Sequence, residues 1–325
     1  MRVLFASLAS PGHTHPLIPL ATATRDAGHD VHFAAGEHVH PALAGLNPFR
    51  PADAFYEIYP EDLALALTRL APDLVIAGWG VPGAVRAARA HGIPVLWHGF
   101  GRMVPEGTGL ESPLAAAPGL THIDICPMSL QDKAFLDEPR IPLRPVPHAD
   151  AARAPDLPAP LIYLTLGTAF ATAALLRTAL AALAPLARVV AATGNVPPAA
   201  VNPLPATTSA HAWLPQTAVI SHADLVVHHG GSGTMLGALA AGVPQLVIPQ
   251  GADQFANAAA LTAAGACLTL PPPDQTADAI TTHARTLLTD PAFRDNARAL
   301  AGTIAAMPSP ADVARRLPDH AARAD

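Results

Sequence analysis

Apolar residues along the chain fall into short β-branched runs separated by longer stretches where they recur at helical spacing. The first half reads RVLFASLAS as a strand, PLIPLATATRDAG as a helix and HDVHFAAG as a strand. EDLALALTRL (helix), PDLVIAGWG (strand), VPGAVRAARAHG (helix) and IPVLWHG (strand) continue the alternation. Strand runs that are apolar throughout belong to a sheet covered on both faces, so the pattern predicts parallel strands wrapped by helices. A proline-rich segment, IPLRPVPHADAARAPDLPAP, suits neither helix nor sheet and reads as a linker. The pattern then restarts with LIYLTLGT (strand), AALLRTALAALAPL (helix), ARVVAATG (strand), HADLVVHHGG (strand into loop), TMLGALAAG (helix) and PQLVIPQG (strand). The expected fold is therefore α/β, with two Rossmann-like, doubly wound domains facing across a cleft. Their expected bounds are residues 1–145, a linker over 146–160, and residues 161–325, with ligands at the carboxyl ends of the strands.

Composition agrees with two cores: the chain has 325 residues, 50% of them apolar and 14% charged. No apolar run reaches the ~18 residues of a spanning helix, and Pro11-Gly12 interrupts the opening run too early for a secretory signal. A cytoplasmic protein without a membrane partner is expected. A net charge of −6 without a basic run argues against nucleic acid and leaves a small molecule as the expected target. Cys126 and Cys267 lack ligand spacing and read as core thiols. Lys133, the chain's only lysine, sits in QDKAF, which excludes a Walker-type phosphate loop.

The stretch HHGGSGTMLGALAAGVP, His228 to Pro244, carries the first candidate chemistry. Gly231 and Gly233 strip a strand-to-helix turn of side chains, and the helix beginning near Ser232 to Thr234 then presents bare amides. Those amides lack intrahelical acceptors and carry the positive end of the helix dipole, which suits a phosphate or diphosphate. The same glycines would also serve a tight turn alone. Glycines at 231, 233 and 237 miss the dinucleotide spacing, and PQLVIPQG ends without the acid that would hold a ribose, so NAD is not expected. Gly242 followed by Pro244 is a helix-closing order.

WLPQ, from Trp213 to Gln216, lies ahead of this loop, and ADQFANA, with Asp253, Gln254 and Asn257, lies after it. The series HAWLPQ, HADLVVHHGGSGT and GVPQLVIPQGADQFANA resembles the sugar-nucleotide signature of the UDP-glycosyltransferase superfamily, particularly its bacterial antibiotic and macrolide glycosyltransferases of the GT-B fold. LIYLTLGT and PLRPVP are similar to theirs too. The resemblance implies Trp213 stacked on a nucleobase and Gln216 beside the base and ribose. It implies His229 and the amides of Gly231, Ser232, Gly233 and Thr234 on the diphosphate, a hydroxyl contact from Thr168, and Asp253 and Gln254 on the sugar hydroxyls. The implied partners are a dTDP- or UDP-sugar donor and a small hydroxylated natural product. No metal or other cofactor is expected, and a homodimer is left open.

SPGHTHP, Ser10 to Pro16, follows the first strand, and Gly12, His13 and Pro16 match the family's Gly-His-x-x-Pro pattern. His13 is thereby the expected general base, an imidazole that takes the acceptor's proton near neutral pH. Attack opposite the diphosphate inverts the anomeric centre, with the leaving group stabilised by helix amides and His229. His13-x-His15 alone would also suit a metal hydrolase, but no further acidic or histidine cluster accompanies it.

Two departures stand out. Where relatives carry an acid that orients the histidine, this chain has Ala77, Gly78 and Trp79. Asp73 opens the same strand, roughly 16 Å from its far end, so either Glu106 or Asp124 substitutes or the orienting group is unnecessary, as it would be for an acceptor that is an acidic phenol or acid. The segment between Gly36 and Ala71 is also shorter than in relatives, implying a more open acceptor site. The chain's end, SPADVARRLPDHAARAD, is similar to the family's last helix, which packs back on the first domain. Alternatives to the transferase are a sugar-nucleotide 2-epimerase and a catalytically silent nucleotide-binding helper subunit.

Overall fold

The computed structural model describes residues 1–51, 58–103, 118–147 and 159–322. The chain divides into two compact units, Met1–His148 together with Ala306–Asp325, and Ala149–Ala305. Most of the expected linker, and Glu106, lie outside the described residues.

In the first unit, β1 (Arg2–Ala6) runs into a single-turn helix α1 (Pro11–Thr14), then α2 (Ile18–Asp26), β2 (Asp30–Ala34) and the short β3 (Pro48–Phe49). Helix α3 (Pro60–Leu70), β4 (Leu74–Gly78), α4 (Pro82–Ala90), β5 (Val95–His98), β6 (His122–Asp124) and β7 (Arg140–Pro142) complete it. Among the described residues these make one seven-stranded sheet in the order β3-β2-β1-β4-β5-β6-β7, with every pair parallel. One face buries Leu4, Ala6, Val75, Ala77, Val95 and Trp97 against Leu63, Leu67, Ala84 and Ala88 of α3 and α4. Burial on both faces explains why RVLFA and LVIAG carry no polar alternation.

In the second unit, β8 (Leu161–Thr165), α5 (Ala173–Leu183), β9 (Arg188–Ala192), β10 (Thr208–His211), α6 (Gln216–Ile220) and β11 (Leu225–His228) come first. Helix α7 (Ser232–Ala240), β12 (Gln245–Val247), α8 (Gln254–Ala263), β13 (Cys267–Thr269), α9 (Ala277–Thr289) and α10 (Pro291–Ala305) follow. The six-stranded order is β10-β9-β8-β11-β12-β13, again all parallel. Ile162 and Leu164 of β8 join one apolar cluster, and Leu161 and Tyr163 the other, so this central strand is buried on both sides.

The last helix, α11 (Pro310–Ala321), belongs to the first unit and packs on α2. Ser309 and Asp312 start it with a capping box: Asp312 N–H donates to Ser309 Oγ at 3.2 Å and Ser309 N–H to Asp312 Oδ2 at 3.0 Å. Its Arg315 pairs with Asp312 on the exposed side. Among the described residues no helix is long and apolar enough to cross a membrane.

Both sheets reverse strand order beside their first strand, between β1 and β4 and between β8 and β11. Ligands of open α/β sheets bind at that point, at the carboxyl ends of the strands. The turns after β1, β8 and β11 hold His13, Thr168 and the glycine loop, while Trp213 and Gln216 follow β10 and Asp253 and Gln254 follow β12.

Candidate functional site

The glycine loop of the second unit ends β11 and opens α7. Gly230 adopts a φ of +97°, and Gly231 is the helix N-cap, in extended conformation with no side chain to satisfy the first amides. A Cβ on Gly233 would meet no neighbouring atom within 4 Å among the described residues, and Gly233 is exposed, so the turn is open on that side. The first amides of α7 have no capping side chain as acceptor, the condition in which a helix start can take an anion.

Gly231 has a second reason to be glycine. A Cβ there would lie 2.4 Å from His229 Nε2, and a Cβ on Gly167, at the end of β8, would lie 2.7 Å from the same atom. The imidazole is wedged between two bare backbones, so the glycines serve the ring as well as any ligand. His229 Nδ1 is buried without a hydrogen-bond partner. Burial pushes its pKa down to about 4 against the opposing pull of a Thr165 backbone bond, so the ring is neutral at pH 7. Its neighbour His228 has a different task. Gly230 N–H donates to its Nδ1 at 3.0 Å, and its Nε2 donates to Gln245 Oε1 at 2.7 Å. Burial lowers its pKa to about 3, and the ring braces the loop from within.

Side chains expected on the ligand are largely tied to one another. Ser232 Oγ donates to Asp253 Oδ2 at 3.1 Å, and Asn257 Nδ2 reaches the same oxygen at 2.8 Å and Gly230 O at 2.9 Å. Burial raises the Asp253 pKa, and these two donors pull it back. Thr234 Oγ1 donates to Gln216 Oε1 at 3.2 Å, joining the starts of α7 and α6. Gln254 turns inward: it is buried, and its Oε1 accepts the amides of Gln250 at 2.8 Å and Gly251 at 3.2 Å. Trp213 and Thr168 stay exposed, Trp213 with 58% of its surface accessible, as an indole awaiting a stacking partner would be. Phe170 is also exposed and lies against Gly251; the sequence reading passed over it.

The first unit places His13 in α1, directly after β1. Hydroxyls close this turn: Ser7 Oγ and Thr14 Oγ1 are 2.9 Å apart, and Thr14 Oγ1 donates to Leu8 O at 3.0 Å. Ser10 occupies the N-cap position, yet its side chain caps no amide. Its Oγ lies 2.7 Å from His13 Nδ1 instead. Trp79, from the turn after β4, stacks on the imidazole at 5.7 Å and 17°. Phe100, beyond β5, meets the same ring at 5.3 Å and the Trp79 ring at 5.0 Å. Three adjacent strand ends thus supply three rings, and burial among them lowers the His13 pKa.

Of the acids considered as its partner, Glu106 lies outside the described residues, and Asp124 and Asp73 are engaged elsewhere. Asp124 accepts from Cys126 N–H at 2.9 Å, Gln131 Nε2 at 2.9 Å and Arg140 Nη1 at 3.1 Å, inside the β6–β7 corner. Asp73 accepts the Arg2 amide at 2.6 Å, at the opening end of β4. His13 and His15 belong to no group of three or more metal-ligand side chains among the described residues.

Residues 177–319 match the model of the erythromycin biosynthesis protein CIII-like C-terminal domain. The L-demethylnoviosyl transferase of Streptomyces niveus is 33% identical over 98% of this chain and 97% of its own length. The elloramycin glycosyltransferase ElmGT of Streptomyces olivaceus is 32% identical over the same shares, 98% and 97%. The structure of glycosyltransferase VinC in complex with dTDP superposes with a TM-score of 0.86, at 24% identity, covering 99% of this chain and 100% of VinC. A glycine-started helix, a wedged histidine and full-length likeness to sugar-transferring enzymes lead to one assignment: the chain belongs to the antibiotic-biosynthesis glycosyltransferases of the GT-B fold.

Proposed function

We propose that the protein is an inverting, metal-independent glycosyltransferase that moves a sugar from a dTDP- or UDP-sugar to a hydroxyl of a small natural product, with His13 as general base. The observation that carries this reading is the bare start of α7, where Gly231 leaves the first helical amides open beside the wedged His229 ring. A diphosphate fits such a place because several oxygens can each take an N–H while the helix dipole favours their charge. His229 is neutral and contributes a hydrogen bond rather than a charge. As the acceptor oxygen attacks the anomeric carbon, the bond to the diphosphate breaks. The leaving oxygen keeps the electron pair, and the amides take up the developing charge. The acceptor's proton passes to His13.

VinC was solved with dTDP, which supports dTDP as the first nucleotide to test. Calorimetry of the protein with dTDP and with UDP, in EDTA, and with Trp213→Ala and His229→Ala, tests the donor half. Binding in EDTA that weakens in both variants is expected. Absence of binding to both nucleotides would reduce the glycine loop to a turn. Donor turnover without an acceptor would point to epimerisation or hydrolysis instead of transfer.

A further inference from the structure

We propose that Ser10 is the positioning residue of His13: its hydroxyl oxygen accepts a hydrogen bond from Nδ1–H, Trp79 and Phe100 hold the ring plane, and Nε2 is the nitrogen that receives the acceptor's proton. This rests on the reading of His13 as the base and supplies the partner that an acid provides in relatives.

The geometry is specific. A serine at a helix N-cap ordinarily accepts an amide of the first turn. Ser10 has the extended N-cap backbone, φ −147° and ψ 147°, but its Oγ is 2.7 Å from His13 Nδ1. Of the acids expected to substitute, Asp124 is spent on Arg140, Gln131 and the Cys126 amide. Trp79 stands where the acid would be and lies nearly parallel to the imidazole, at 17°. Stacking sets the plane of a ring without choosing between its two nitrogens. Only a hydrogen bond to one of them selects the tautomer.

A hydroxyl differs from a carboxylate in charge. It brings none, and among the described residues the aromatic rings packed on His13 are Trp79 and Phe100, which offset an imidazolium less than a carboxylate would. Burial is the single cause lowering the His13 pKa, with no charged group among the described residues opposing it. The base is therefore weak, and the proton it removes must be loosely held. The acceptor class that follows is a phenol or enol, with a pKa near ~10 for a phenol, rather than an aliphatic alcohol.

The test uses the full chain labelled with 15N-histidine and the variants Ser10→Ala, Ser10→Thr and Ser10→Asp, with His13→Gln identifying the His13 signals. Expected is a His13 ring protonated at Nδ1 in the parent. Ser10→Ala loses that preference, Ser10→Thr keeps it, and Ser10→Asp raises the His13 pKa by about one unit or more. An unchanged tautomer and pKa in Ser10→Ala overturns the proposal, whether or not any turnover is measured. Transfer from dTDP-glucose to substituted phenols and matched benzyl alcohols gives the second readout. Ser10→Ala is expected to lower kcat about tenfold at unchanged donor KM, less than the ~10²- to 10⁴-fold of losing the base itself. Ser10→Asp makes the rate depend less steeply on acceptor pKa. Benzyl alcohols used as readily as phenols by the parent would overturn the acceptor class. If His13→Gln retains full transfer, the general-base reading fails, and the tautomer measurement still decides on Ser10.

Discussion

The two units put equivalent positions of their own sheets to different use. In each, a ring carried on the turn after the strand beside the first one closes over the turn that follows the first strand. In the second unit that ring is His229, and it meets Gly167 and Gly231, which have no side chains. In the first it is Trp79, and it meets His13, a reactive side chain. On the proposed reading the second unit acts through backbone amides, beside which Ser232, Asp253 and Asn257 are bonded among themselves and Thr234 to Gln216. The first unit then acts through one imidazole held by two aromatic rings and a hydroxyl. Binding asks for many fixed donors, whereas proton transfer asks for one oriented lone pair.

The largest effect that would break this division is at His13. His13→Ala is expected to lower kcat by about 10²- to 10⁴-fold, the range of general-base contributions, while leaving the dTDP dissociation constant unchanged in calorimetry. A matched loss of nucleotide affinity would mean that the two tasks are not divided between the units.

Gly231→Ala probes the other side. Its new Cβ would fall 2.4 Å from His229 Nε2, so the ring must move. Overpacking of this kind costs about 1 to 3 kcal/mol, and nucleotide affinity is expected to drop about ten- to hundredfold. In a His229→Ala background the same methyl meets no ring, and its cost in a double-mutant cycle should largely vanish. Additive losses would show that Gly231 serves the ligand alone.

The comparison also shows what could be read in the sequence. The cradle was legible because its signals are local: a strand, glycines and a helix follow one another within His228 to Pro244, and βα connectivity dictates where the amides point. That Gly167 answers to His229 was not legible, because it requires two strands far apart in the chain to lie side by side. The inward turn of Gln254 was hidden for a similar reason, since its backbone partners depend on the path of the loop at Gln250 and Gly251. In the first unit, Trp79 was read only as a missing acid, and Phe100 drew no attention. Aromatic residues ending β4 and β5 become informative once those strands are known to flank the His13 turn. Both doubly wound patterns were visible, but three-residue strands such as β6, β7 and β13 are too short to show a period.

Acid stability tests whether the units are braced alike. Burial lowers the pKa of His98 in the first unit to about 4 and that of His228 in the second to about 3. Each folded-state value lies below the unfolded value near ~6.5, so below that pH the unfolded chain binds the extra protons. The contribution is complete above pH ~6.5 and is lost as pH falls towards the folded values, about 2 kcal/mol for each ring by pH 5. Urea midpoints measured from pH 7 to 5 should fall, with a shallower slope in both His98→Gln and His228→Gln. A slope flattened by one variant only would locate acid sensitivity in a single unit.

The smallest expected effect sharpens the claim that cradle side chains hold one another while the backbone holds the ligand. Thr234 Oγ1 donates to Gln216 Oε1 at 3.2 Å, and the Thr234 side chain is buried while its amide belongs to the open first turn of α7. Thr234→Val keeps shape and amide and removes only the hydroxyl. The loss is one partly buried hydrogen bond, about 1 kcal/mol of stability, read as a shifted urea midpoint. Nucleotide affinity should change less than threefold, because the donated amide is untouched. A tenfold or greater loss of dTDP affinity at unchanged stability would make the hydroxyl itself a ligand and move the second unit closer to the first, with reactivity residing in a side chain.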